Sequence, residues 1–272
     1  MNPLKRGWKA VSFVFRQEKK WLGLLVLIQI LFIILISIIG VKYLINISES
    51  ARGVIEPLEG LNYEEIEQSQ GEINNQIMQD LMKQMLLVAE SYETLIGSII
   101  EMILWMVGIC LVLEGLGWSL IHGILKKGKA LIYWGRFVLI NLTFLIPMGL
   151  GSYLLLKSLI GIEIGIFEIV VKVLGGIFIV ASYFMLISFC LLEEKNIKKL
   201  LKKTFLLGVK KIHWILLGAA IGIIGVAIGG GAVYFLMEQG LILMVLSVVL
   251  LGVLLVLGKV FLIGVVGEVK KD

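Results

Sequence analysis

The chain has 272 residues, of which 59% are hydrophobic, and its mean hydropathy is +1.00. Soluble domains are about 45–50% apolar, so the composition excludes an ordinary soluble protein and predicts an all-α, polytopic membrane protein, with residues 1–272 forming a single membrane domain. The net charge of +5 does not indicate a nucleic-acid partner, because the basic residues lie in short patches beside apolar segments, where they orient a membrane protein.

Six apolar runs are long enough to cross the hydrocarbon layer as helices, which takes about 20 residues each. They cover residues 21–45, 96–121, 137–160, 167–192, 214–236 and 241–266. The connections between them alternate in charge, since residues 1–20, 126–136 and 193–211 are basic and the other connections are acidic or nearly uncharged. Lys and Arg concentrate on the cytoplasmic side, so we expect a multi-pass protein of the plasma or inner membrane with both termini in the cytoplasm.

The long connection after the first span, residues 46–95, is acidic and is expected outside the membrane. A stripe of apolar residues predicts that the second membrane helix extends outward through it; the stripe consists of Ile66, Ile73, Ile77, Leu81, Met85 and Val88. Asn62 and Glu65 resemble a capping box at the start of that extension, and an irregular stretch is expected around Gly53–Gly60. The extension either packs on the membrane face or its own hairpin, or it docks an external partner or a second copy.

Basic residues interleave with apolar ones just before three spans, at residues 9–21, 126–137 and 203–214. This pattern is typical of helices that lie in the membrane interface, so basic amphipathic helices are expected before spans 1, 3 and 5. For the helix over residues 195–212 the alternatives are nucleic acid, a calmodulin-like partner or a docked ATPase. The favoured partner is the anionic headgroup surface on the cytoplasmic side, contacted by Lys198, Lys199, Lys202, Lys203, Lys210 and Lys211.

Glycines recur every three or four residues along the fifth span, at Gly218, Gly222, Gly225 and Gly229. Such a seam allows another helix backbone to approach closely, so a helix-packing face is the favoured interpretation. A pore-lining face is the alternative.

The sequence contains no recognisable catalytic chemistry. No zinc-protease, paired-cysteine or nucleophile–histidine–acid arrangement is present, and no glycine-rich loop ends in Lys-Ser or Lys-Thr. We therefore expect no enzyme activity, no cofactor and no bound metal, and any energised transport would need a separate ATPase.

Two charged residues lie deep inside predicted spans, where an ionised side chain is costly and is seldom found without a partner or a task. Glu114 lies about 18 Å of helix from the basic boundary at Lys126, and Lys259 lies about 16 Å from the boundary at Lys270, at about 1.5 Å per residue. Equal depth on the second and sixth spans predicts an ion pair, and Gln29 and Asn141 are further polar candidates for the same interior. The alternatives are a protonated Glu114 with a snorkelling Lys259, or a role in translocation.

The layout resembles two kinds of prokaryotic family. One is the group of six-helix membrane families that includes the membrane domain found beside some glycerophosphodiester phosphodiesterases. The other is the ABC-2 type exporter permeases, whose basic amphipathic N-terminus is similar to FRQEKKW at residues 15–21. Both resemblances are architectural and imply no site residues.

Two functions remain open on the sequence. The first is a permease-like transport subunit that works with a partner such as an ATPase. The second is a structural or assembly protein that docks other components, or a second copy of itself, through its outer acidic helix and basic cytoplasmic faces.

Overall fold

The computed structural model describes residues 2–59, 75–158 and 164–270, and among these residues the chain is almost entirely helical with no strand. The helices, in chain order, are α1 (Pro3–Gln17), α2 (Lys19–Glu59), α3 (Asn75–Ile109), α4 (Gly115–Lys126), α5 (Ala130–Ser158), α6 (Ile164–Cys190), α7 (Ile197–Lys210), α8 (Ile212–Leu236) and α9 (Leu241–Val269). A π-helical turn, Cys110–Glu114, joins α3 to α4.

Six helical stretches in the described part of the chain are long and apolar enough to cross a membrane. They are Lys19–Pro57, Met82–Lys126, Ala130–Gly151, Lys172–Cys190, Ile212–Leu236 and Leu241–Val269. The predicted number of spans is therefore confirmed, and the chain is an all-helical, multi-pass membrane protein.

The structure corrects the expected break after the first span. Helix α2 runs without interruption to Glu59, so the irregular stretch predicted at Gly53–Gly60 is wrong as far as Glu59, and Gly60 lies outside the described residues. Gly53 serves close packing instead, since a Cβ there would lie only 2.6 Å from Ser91 Oγ. The predicted start signal at Asn62 and Glu65 also lies outside the described residues.

The structure also corrects the expected interfacial helix before the third span. Separate helices do precede the first and fifth spans, namely α1 and α7. Residues 126–137 form no helix of their own, because α4 ends at Lys126 and α5 begins at Ala130. The residue after α4, Lys127, has a left-handed backbone with φ +52°, which ends the helix, and the apolar run that follows enters the span directly.

The chain divides into two compact units, residues 1–32 with 111–272 and residues 33–110. Helix α9 is central to the first unit, with α8, α1, α6 and α4 packed around it. The glycine seam of α8 faces α9, since a Cβ on Gly222 would lie 3.9 Å from the Cα of Gly258 and one on Gly229 would lie 3.1 Å from the Cα of Leu251. Close approach of the two backbones lets van der Waals contacts hold the helices together.

Helix α1 packs on α9 through another pair of glycines. A Cβ on Gly264 would lie 2.8 Å from the Cα of Gly7, and one on Gly7 would lie 2.6 Å from the ring of Phe261. The buried face of α1 also includes Val11 and Val14, whereas Trp8 is 59% exposed. This crossing fixes the position of α1 along α9.

The second unit is a helical hairpin made by residues 33–59 of α2 and by α3. Tyr43 donates a hydrogen bond to Glu101 Oε2 at 2.9 Å, and the contact of Gly53 with Ser91 continues the antiparallel pairing. Buried or half-buried positions on each helix alternate in steps of four and three residues, as in a coiled coil. They are Ile36, Gly40, Tyr43, Ile47, Ser50, Val54 and Pro57 on α2, and Gln84, Val88, Ser91, Leu95, Ser98 and Met102 on α3.

The predicted outer stripe agrees only in part with this seam. Val88 lies on it, whereas Met85 lies off it and is 70% exposed. The seam carries polar residues such as Gln84 and Ser91, so apolar spacing alone does not trace it. Ile66 and Ile73 lie outside the described residues, as do the side chains of Ile77 and Leu81.

Candidate functional site

Three polar side chains from three different helices meet inside the first unit. Glu114 Oε2 forms an ion pair with Lys259 Nζ, and Glu114 Oε1 accepts a hydrogen bond of 2.8 Å from Gln29 Nε2. Lys259 Nζ also donates to Gln29 Oε1. We call Gln29, Glu114 and Lys259 the polar triad. Each member contacts both of the others, so their hydrogen bonds form a closed ring.

The three side chains of the polar triad are almost completely buried. Gln29 is 1% exposed, and the side chains of Lys259 and Glu114 are 12% and 14% exposed. The ammonium group of Lys259 also lies 5.9 Å from the centre of the Trp118 ring, within the range of a cation–π contact. In a low-dielectric interior an unpaired charge would be very costly, so the contact between the two side chains offsets the cost of burying them.

A π-helical turn places Glu114 in the polar triad. The turn spans Cys110–Glu114, and a π-turn is a local expansion of the helix that occurs frequently at functional sites. Trp134 Nε1 donates to the carbonyl oxygen of Leu111 at 3.1 Å, which gives a backbone oxygen of the turn a partner from α5. Gly115 follows directly, where a Cβ would lie 2.9 Å from the rings of Trp134 and Phe137.

Asn141 lies apart from the polar triad. It is 3% exposed, and its Nδ2 donates to the carbonyl oxygen of Phe137 on its own helix at 2.9 Å. Of the four polar candidates in the sequence, the structure therefore brings together Glu114, Lys259 and Gln29, and it leaves Asn141 bonded locally.

A second charged cluster lies at the turn that follows α6, where it joins the ends of α4 and α9 to the middle of α7. Lys270 Nζ lies 2.8 Å from Glu193 Oε1 and 2.7 Å from Glu194 Oε1. Lys126 Nζ lies 2.8 Å from Glu193 Oε2, and Lys203 pairs with Glu194. We call Lys126, Glu193, Glu194, Lys203 and Lys270 the ion-pair cluster. It ties four separate parts of the chain together.

Contacts within the ion-pair cluster shift the pKa values of Glu193, Glu194 and Lys270. Hydrogen bonds from Lys203 and Lys270 lower the pKa of Glu194 to about 2. For Glu193, burial raises the pKa, but the hydrogen bonds from Lys126 and Lys270 outweigh it and the net shift is downward. For Lys270, burial lowers the pKa, and the two carboxylates reverse this and raise it. These groups therefore stay charged around neutral pH.

The six lysines predicted to face lipid fall into two groups in the structure, four that are exposed and two that are half-buried. Four are exposed on α7, in agreement with a surface role, namely Lys198, Lys199, Lys202 and Lys210. Lys203 instead belongs to the ion-pair cluster, and Lys211 is half-buried at the junction of α7 and α8. Glu193 and Glu194 directly precede the lysine-rich stretch, but their position in the sequence does not show which lysine pairs with them.

His122 on α4 is a further buried polar residue. It is fully buried, its Nε2 lies 2.8 Å from the carbonyl oxygen of Phe189, and its ring lies 5.4 Å from that of Tyr133. Phe189 on α6 and Tyr133 on α5 therefore contact the ring. Among the described residues, no three His, Cys, Asp or Glu side chains are grouped so that they could hold a metal ion.

Comparison with protein-family models, with curated proteins and with solved structures found no match. The architectural resemblance to six-helix families and to exporter permeases therefore receives no support from these comparisons.

Proposed function

We propose that this chain is a non-enzymatic integral membrane protein of assembly type, which docks another protein component through its helical hairpin. The proposal rests on one observation: the outer part of the hairpin combines charged residues with exposed apolar side chains. The proposed setting is a plasma or inner membrane, with both termini in the cytoplasm and the hairpin on the other side.

The helices of the hairpin are much longer than a bilayer requires. Helix α2 has 41 residues and α3 has 35, whereas about 20 residues cross the hydrocarbon layer. The parts nearest the hairpin tip carry charges, including Glu49, Arg52 and Glu56 on α2 and Glu90 and Glu93 on α3. Charged side chains are expensive in hydrocarbon, so these parts belong outside it.

The same outer parts expose large apolar side chains. Met82, Met85, Leu86 and Leu87 on α3 are 66%, 70%, 62% and 54% exposed, and Ile55 on α2 is 51% exposed. Apolar patches with a polar surround are typical of interaction sites, and methionine side chains adapt to different partner shapes. This surface supports docking of a protein partner or a second copy of the chain.

The experiment uses full-length protein in cells with a photo-crosslinking residue at Met85 or Leu86. The matched control carries it at Ile228 on α8, which is 63% exposed and lies within a spanning helix. We expect a discrete protein adduct at the hairpin positions and none at Ile228, with loss of the adduct when Met82 and Leu87 are replaced by Glu. Equal labelling at all three positions, or none at the hairpin, contradicts the proposal.

A transport subunit is the second candidate, and the polar triad is the observation that favours it. Charged residues inside membrane helices often mark substrate or proton pathways. Against transport, the members of the polar triad bond to one another and Asn141 bonds to its own helix, so these four residues offer a substrate no ready partner. An ATPase in an adduct formed from the exposed Lys198 position of α7, which lies on the cytoplasmic side in this orientation, would decide for transport, whereas a non-ATPase partner or a second copy in the hairpin adduct supports assembly.

A further inference from the structure

A cavity of about 270 Å³ opens between α1, α4 and α9 in the first unit. Its wall carries three basic side chains, Arg6, Lys9 and Lys126, and it also carries apolar groups from Phe13, Leu125 and Ile263. Three cations beside an apolar wall match a ligand that has a negative group and an apolar body.

The close crossing of α1 and α9 builds this cavity. Contact of Gly7 with Gly264 brings the backbones together, and Arg6 and Lys9 lie on either side of Gly7, three residues apart and therefore neighbours on one face of α1. Because the crossing fixes α1 along α9, both side chains are held at the rim of the cavity. The helix crossing therefore fixes the positions of these two basic residues relative to each other and to the cavity.

The guanidinium of Arg6 keeps hydrogen-bond donors for a ligand. Its Nε lies 3.8 Å from Glu268 Oε2, which is too long for a hydrogen bond. Arg has five N–H donors in a planar fork that suits phosphate oxygens. Lys126 contributes charge while it also pairs with Glu193 at 2.8 Å.

The position of the cavity along the helices agrees with a lipid headgroup. Lys126 is the last residue of one spanning helix. Gly267 on the cavity wall lies near the end of another, which ends at Val269. Helix ends of this kind lie at the headgroup level, where basic pockets between membrane helices hold anionic lipids. Phe13, Leu125 and Ile263 would then contact the glycerol and upper acyl part.

We propose that this cavity is a binding site for the phosphate group of an acidic phospholipid, held by Arg6, Lys9 and Lys126. The site goes beyond the docking function of the hairpin and does not depend on it. A free phosphate ion shares the same chemistry, so the experiment separates the two sources.

The test titrates the delipidated, full-length protein in detergent with phosphatidylglycerol, with phosphatidylcholine and with inorganic phosphate, and native mass spectrometry counts the bound molecules. We expect one retained phosphatidylglycerol and no comparable retention of phosphatidylcholine. Competition by inorganic phosphate shows that the phosphate group alone suffices, whereas retention without competition assigns the site to the lipid. Equal retention of both lipids, with no binding of phosphate, overturns the proposal.

Charge-matched variants separate the cavity from a diffuse basic surface. Arg6→Gln with Lys9→Gln removes two charges from the cavity, and Lys5→Gln with Arg16→Gln removes two exposed charges of the same helix that do not line the cavity. The cavity variant should weaken phosphatidylglycerol binding about tenfold or more, given the usual contribution of each basic residue, and the control should change it far less. Equal weakening in both variants overturns the proposal.

A steric variant tests the site without any change in charge. A Cβ on Gly267 would meet nothing within 4 Å, so Gly267→Leu extends into the cavity without a clash at the backbone. We expect it to reduce phosphatidylglycerol retention, whereas Gly135→Leu, at an exposed glycine with equally open surroundings, should leave retention unchanged. Unchanged retention in Gly267→Leu, with the same thermal unfolding as the parent, overturns the proposal.

Discussion

Glu114 and Lys259 neutralise each other inside an otherwise apolar part of the chain, so replacing either one leaves a buried charge. Glu114→Gln or Lys259→Met alone should destabilise the protein by about 3–5 kcal/mol, because the remaining ion loses its partner. The double variant should be less destabilised than the sum of the two, with a coupling of about 1–3 kcal/mol. Chemical unfolding in detergent, followed by tryptophan fluorescence, measures all three.

Glu238→Gln provides the matched control, because Glu238 is exposed in the turn between α8 and α9. It should change stability by less than about 0.5 kcal/mol, alone or combined with Lys259→Met. Simple additivity of Glu114→Gln and Lys259→Met would show that the two charges do not interact.

The ion-pair cluster predicts a dependence of stability on pH. The pKa of Glu194 falls from 4.5 to about 2 on folding, so its contribution is present above pH 4.5 and is lost as the pH falls toward 2. The raised pKa of Lys270 acts in the opposite direction: that contribution is complete below its usual value of 10.5 and is lost as the pH rises above it. The cluster therefore stabilises the protein between these limits.

Glu194→Gln should lower the free energy of unfolding by about 1–2 kcal/mol at pH 7, after allowance for solvent screening. At pH 3 the difference in free energy of unfolding between Glu194→Gln and the parent should shrink. The Glu194 carboxyl group is then largely protonated in the unfolded state but still ionised in the folded state, so its stabilising contribution is smaller than at pH 7. Glu18→Gln, outside the cluster, controls for general charge effects. A deficit of Glu194→Gln that is the same at both pH values would contradict the cluster.

The ion pair between Glu114 and Lys259 could be predicted from the sequence, because the number of residues to each basic boundary places both charges at the same depth. The sequence pattern missed the π-turn that brings Glu114 into place, because one extra residue in a helical turn leaves no mark in an apolar pattern. It also assigned Lys203 to lipid, because a charge pattern does not show which lysine reaches an acid nine residues away.

At the scale of helices, the glycine seam of α8 offers a test at two adjacent residues. A Cβ on Gly229 would lie 3.1 Å from the backbone of Leu251, whereas one on Gly230 would meet nothing within 4 Å. Gly229→Val should therefore destabilise by about 1–3 kcal/mol through overpacking, and Gly230→Val should cost clearly less. Both substitutions share the same change in helix propensity, so thermal unfolding isolates the packing effect, and equal losses would contradict the seam.

The number of membrane-spanning helices followed from the sequence, because about 20 consecutive apolar residues have few alternatives to a span. The breaks between helices did not follow as well. An irregular stretch was expected at Gly53–Gly60, yet α2 continues to Glu59, and Gly53 instead allows close packing against Ser91. Conversely, the basic stretch at 126–137 suggested a helix where the backbone at Lys127 turns left-handed.

At the scale of the whole molecule, the proposed orientation predicts which parts a membrane-impermeant thiol reagent reaches in intact cells. The background is a variant with Cys110→Ala and Cys190→Ala, which removes both native thiols. New cysteines at Glu90 in the hairpin and at Glu238 between α8 and α9 should react from outside. A cysteine at Lys198 on α7 should react only after the cells are permeabilised, because lysine-rich connections remain in the cytoplasm.

All three positions are exposed on the chain, so a difference in labelling reports the side of the membrane and does not reflect burial. Reaction of Lys198→Cys in intact cells, with protection of the other two, would invert the orientation and put the ion-pair cluster and the basic cavity outside. That result would remove the cytoplasmic anionic lipid surface as the source of the bound phosphate. It would also place the exposed methionines of the hairpin in the cytoplasm, so the docking partner would have to be sought there.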